Sequence, residues 1–150
     1  MNNRVIRLFL FTLLFNLIIS VATGAEVRAT KNETQNIINR TNAVVATAQR
    51  FASEGKKYDG LGLAVSHQLL AKELFSESAY TEAVFHSLRS RVLAAGVIKI
   101  NKSDLLNEAL YDRTEQKFVN QSPSERELDQ QLKDSQTVLN DKAAANIELD

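Results

Sequence analysis

Residues 59–95, DGLGLAVSHQLLAKELFSESAYTEAVFHSLRSRVLAA, decide the fold. Two apolar stripes stand here on either side of a short polar break, Ser76-Glu-Ser-Ala79. Leu63, His67, Leu70 and Leu74 recur every three or four residues, with Ala64, Ala71 and Phe75 beside them. After the break Tyr80, Val84, Leu88 and Val92 do the same, broadened by Phe85 and Leu93. That spacing puts each set on one face of an α-helix. The spacing predicts helices over 59–75 and 79–95, with Asp59 and Ser78 as N-caps and Gly96 as the C-cap of the second. Gly60 and Gly62 each weaken the first turn by about 1 kcal/mol relative to alanine, and mark either close helix packing or a frayed start.

Upstream, Ile37, Thr41, Val44, Ala48 and Phe51 form the stripe of a helix over 30–54, stopped by Gly55 and followed by Lys56-Lys57. Downstream, Val97–Ile100 reads as a connector and Ser103 opens a fourth helix through Val119. Ser122-Pro-Ser-Glu125 has the form of a capping box with proline at the first helical position. It predicts a fifth helix over 123–140, whose thin stripe of Leu128, Leu132, Val138 and Leu139 packs loosely. Its acidity suggests docking on the basic first helix. The remainder, 141–150, reads as a flexible acidic tail. The expected fold is therefore all-α: an antiparallel bundle of three main helices plus two further amphipathic helices, one domain over 26–140.

Leu70, Ala71, Leu74, Tyr80 and Ala83 resemble one helix-turn-helix unit of a tetratricopeptide repeat. Ser87 and Ser90 depart from that pattern, the terminal proline is missing, and such arrays need at least three repeats. The pattern is the alternation of small and large residues that lets two antiparallel helices approach closely.

The chain begins MNNRVIRLFLFTLLFNLIISVATGA, residues 1–25. Arg4 and Arg7 precede an apolar run from Leu8 to Val21, and Thr23-Gly24-Ala25 supplies small residues. This is the layout of a secretory signal peptide cleaved after Ala25. A membrane-spanning helix needs about 20 predominantly apolar residues, and this run is shorter and carries Asn16. No stable membrane span is expected after cleavage, so the address is periplasmic or extracellular.

Removing the leader leaves 16 Lys+Arg against 18 Asp+Glu, a net of −2. A near-neutral chain is a poor nucleic-acid binder, because that binding rests on clustered positive charge. Residues 26–57 carry six basic residues against three acidic, while 123–150 carry three against seven. Cysteine is absent, which removes thiol catalysis, thiolate metal sites and disulfides. Five glycines and one proline are too few for the turns of a sandwich or barrel. Asn32, Asn39, Asn101 and Asn120 open glycosylation triplets, but a cysteine-free exported chain leans towards a bacterial host, where these carry no meaning.

His67 and His86 are the only histidines. Glu82 lies one turn before His86, on the same helix face. These three residues are the candidate metal or small-ligand set, between the second and third helices. No Glu-x-x-His pair of the di-metal bundles accompanies them. No phosphate loop or nucleophile elbow occurs, and no catalytic residue or cofactor is assigned. The function expected is a non-enzymatic interaction module of the cell envelope or secretome that binds a protein partner. The alternative is a ligand or metal carrier using His67, Glu82 and His86.

Overall fold

A computed structural model of the chain describes residues 26–102 and 109–149. The leader lies outside the described residues, as does the start of the expected fourth helix. The described residues form six helices and no strand: α1 (Lys31–Gly55), α2 (Leu61–Ser76), α3 (Tyr80–Lys102), α4 (Arg113–Val119), α5 (Glu125–Ser135) and α6 (Asp141–Ala144). The first three form the bundle. α3 packs extensively on both α1 and α2. α1 and α3 run parallel, with α2 antiparallel between them in the chain.

Local signals account for most of the helix starts. Thr30 caps α1 in a capping box with Glu33, and Asp112 caps α4 in another with Glu115. The box of α5 is Ser124 with Glu127, two residues later than expected, so Pro123 precedes the cap. α1 ends with Lys56 in the left-handed conformation (φ 58°). α2 starts after Gly60, whose φ of 86° favours glycine, and not at Asp59. Ser78 takes a φ of 66° in the turn between α2 and α3. Gly96 does not end α3, which runs on to Lys102. The apolar Val97 and Ile98, read as a connector, are buried on the extended helix, and their burial outweighs the roughly 1 kcal/mol cost of an interior glycine.

Two apolar clusters fill the interior. One joins Val44, Val45 and Ala48 of α1 to Leu61, Ala64 and Val65 of α2 and Ala94, Val97 and Ile98 of α3. The other joins Ile37, Val84, Leu88 and Phe118. Between them in helix register lies a buried polar layer: Thr41, Ser66, His67, Gln68, Ser87, Ser90 and Arg91. Gln68 Nε2 donates to the Ile38 carbonyl (3.0 Å) and to Asn42 Oδ1 (2.7 Å). Ser90 Oγ donates to the Ala64 carbonyl at 2.7 Å. A mis-registered bundle would leave the Gln68 and Ser90 donors unpaired, at about 1–3 kcal/mol each.

The C-terminal half departs from expectation in two places. α5 docks on α2 and α3, not on α1, because its partners are specific side chains and not the net charge of α1. The expected tail is laid along the bundle through Leu149. Gln49 donates to the carbonyls of Ala144 (2.8 Å) and Ile147 (2.7 Å), and Asn42 donates to that of Leu149 (2.8 Å). Ala144 is buried, and Ile147 and Leu149 pack on the first apolar cluster. Gly62 lets this strap in. A Cβ there would lie inside contact distance of the Leu139 carbonyl oxygen, and the Gly62 N–H donates to Asp141 Oδ1 at 2.7 Å.

Candidate functional site

Arg89 and Arg91 stand two residues apart on α3, about 200° around its axis, and each holds down one of the small helices. Arg91 is wholly buried. Its Nη1 donates to Glu115 Oε1 at 2.8 Å, and its Nε and Nη2 donate to Thr41 Oγ1 at 3.1 and 2.9 Å. Glu115, also wholly buried, receives Arg40 Nη1 at 2.9 Å and, through Oε2, the Asp112 N–H at 3.0 Å. Arg40 continues the chain of charge to Asp112. Charges buried this deeply persist only when paired and hydrogen-bonded throughout, and here they are. The result fixes α4 on α1 and α3.

Arg89 does the same for α5. Its Nε and Nη2 donate to the two oxygens of Asp129, at 2.9 and 3.0 Å, and its Nη1 pairs with Glu125 at 2.8 Å. Asp129 Oδ1 also lies 3.0 Å from His67 Nε2, and His67 Nδ1 lies 2.9 Å from His86 Nδ1. The two rings stack with centroids 5.2 Å apart. An ionised carboxylate only accepts, so His67 Nε2 carries a proton. In the neutral ring Nδ1 then accepts, and His86 Nδ1 donates to it.

Burial drives both histidines towards the neutral form. It pushes His67 below its usual value against the pull of Asp129, and takes His86 down to about 4, helped by any charge on His67. Burial acts to raise the Asp129 carboxyl, but hydrogen bonds from Arg89 and His67 hold it below the ordinary carboxylate value.

The candidate set from sequence is thus divided. His67 and His86 meet, while Glu82 is exposed on the first turn of α3 and the carboxylate at His67 is Asp129. No group of three or more His, Cys, Asp or Glu residues is arranged to hold a metal ion among the described residues. Arg91 carried a legible signal, since it follows Leu88 by three residues within an apolar stripe. Asp129 and Glu115 carried none.

Between the pinned α4 and α5 lies a pocket of about 150 Å³, lined by Leu88, Val92, Tyr111, Val119, Pro123 and Leu128, with the Arg89–Glu125 pair on its wall. Val92 is 40% exposed, and Leu110, beside Tyr111 in the chain, is 56% exposed. A larger cleft of about 470 Å³ between α1 and α4 has its charges paired off: Glu33 with Lys117 at 2.6 Å, Arg40 with Asp112 and Glu115. The α2–α3 hairpin uses its small residues Ala64, Ala71, Ala83 and Ala94 in its own core. No protein-family model, curated protein or solved structure is significantly similar to this chain.

Proposed function

We propose that this protein is an exported, non-enzymatic interaction module of the cell envelope or secretome, periplasmic or extracellular in a bacterial host. It seats an apolar side chain of a protein partner in the α3–α4–α5 pocket. The observation that carries the reading is the pairing of exposed Val92 and Leu110 with a small apolar pocket whose two walls are separately anchored by ion pairs, the α4 pair wholly buried and the α5 pair partly so. Hot spots of protein interfaces are apolar anchors in preformed pockets with a polar rim, and Arg89 and Glu125 supply such polarity. The arginine, glutamate and histidine clusters have partners within the protein, which favours a structural role for them. No helix among the described residues is long and apolar enough to cross a membrane. The leader motivates the exported address.

A photo-crosslinking residue at position 92, compared with one at exposed Ala46 on α1, tests the site in the native host. A discrete adduct from position 92 alone, lost on Leu110→Glu, supports the reading. The same yield from both positions, or none from 92, rejects it. The mass of the recovered chain tests export, with Glu26 as the expected first residue.

A further inference from the structure

We propose that α5 is a proton-sensitive latch: the His67–His86 contact holds it closed through Asp129 when the pair is neutral, and protonating the pair releases α5 from α2 and α3. The inference begins with how few groups hold α5. Leu128 and Leu132 are its buried apolar side chains. Its polar anchors are Asp129, on His67 and Arg89, Glu125, on Arg89, Gln131, on His86, and the C-cap Gln136, whose Nε2 donates to the Ser66 carbonyl at 2.8 Å. Of those on Asp129, Arg89 stays charged throughout the physiological range and His67 does not.

Proton counting gives the latch its direction. The neutral pair carries two ring protons, one on His67 Nε2 towards Asp129 and one shared across the 2.9 Å Nδ1–Nδ1 contact. A third proton keeps that contact but places a cation among wholly buried groups. A fourth places two N–H groups head to head, and the contact fails. The groups facing the pair are Arg89 of α3, which disfavours charge on His67, and Asp129 of α5, which favours it. Gln131 of α5 hydrogen-bonds His86. Burial exceeds the help from Asp129 for His67, so acid favours the state in which the rings reach water. α5 is the element that must move, since α2 and α3 are locked together through their alanine seam.

Leu128 and Glu125 line the α3–α4–α5 pocket, so opening the latch removes one wall of it. What the latch controls rests on the proposed function; whether it opens does not.

The test is hydrogen exchange on the intact mature protein between pH 7 and pH 4, corrected for intrinsic rates, with NMR titration of the two histidines. Amides of 125–135 are expected to lose protection by roughly tenfold or more, while those of Val44, Val65 and Val97 keep theirs. Asp129→Asn is expected to open α5 already at pH 7, and His86→Gln to flatten the pH dependence. Full protection of α5 at pH 4 overturns the latch, as does its persistence with both histidines charged. Simultaneous loss across all helices also overturns it, since that is global unfolding. If α5 opens on schedule but crosslinking at position 92 is indifferent to pH, the partner reading fails and the latch stands.

Discussion

Arg91 Nη1 and Glu115 Oε1 sit 2.8 Å apart with both side chains wholly buried, and that carboxylate also caps α4 through the Asp112 N–H. One glutamate therefore serves as helix cap and as counter-ion to two arginines, and the α4 wall of the pocket depends on it.

Removing Glu115 leaves Arg91 charged and unpaired in the interior. Glu115→Ala is expected to cost about 3–5 kcal/mol, read by urea denaturation. The double variant Arg91→Met/Glu115→Leu should recover most of that loss, because the strained species is the lone charge and not the missing pair. An additive double variant would contradict the coupling.

Stability should fall in two separate acid limbs. The histidines have folded values below the usual 6.5, so their contribution is fully present above pH 6.5 and is lost as pH falls towards about 4 for His86. Glu33 behaves as a carboxylate. The Lys117 ammonium and the Thr30 cap bonds hold it at about 2 against an ordinary 4.5, so its contribution is present above pH 4.5 and lost as pH falls through 2. Glu33→Gln should lower stability slightly at pH 6, leave it unchanged near pH 2, and not alter the upper limb. Denaturant midpoints across pH 2–8 would show it.

Two glycines on two helices should respond to alanine with opposite signs. At Gly62 a Cβ meets the Leu139 carbonyl oxygen and Asp141, so Gly62→Ala should detach the C-terminal strap and expose 137–149 to proteolysis. At Gly96 a Cβ meets nothing within 4 Å, and the residue lies inside α3. Gly96→Ala should stabilise the protein by about 0.5–1 kcal/mol. Thermal melts of the two variants, displaced in opposite directions from the wild type, are the expected result.

The strap also supplies a cap that α2 lacks locally, because Gly60 offers no side chain. Asp141→Ala removes the carboxylate from the Gly62 N–H and should cost about 1 kcal/mol. Faster exchange is expected at Gly62 and in 141–149, with α1 unaffected.

The sequence by itself determined the three main helices, while the described fourth helix starts at Arg113 and the fifth ends at Ser135, short of the expected 140. Apolar spacing of three and four, a scarcity of glycine and proline, and capping signals are local, and they located α1 and α2 to within two residues at each end and α3 at its start. It also showed that the α2–α3 hairpin is close-packed, since its alanines lie on the stripes. Where a local rule competed with burial, burial won: α3 passes through Gly96 because Val97 and Ile98 find the core. The tertiary structure alone decided the pairings. His67 and His86 were legible as a pair, but the carboxylate at His67 is Asp129 of α5 and not Glu82, because 62 residues of chain separate the partners and no periodicity encodes their meeting. Glu115, Arg89 and the strap over Gly62 belong to the same class. A hydrogen bond between distant elements leaves no trace in spacing, and the polar layer that sets this bundle's register exists only once the helices have come together.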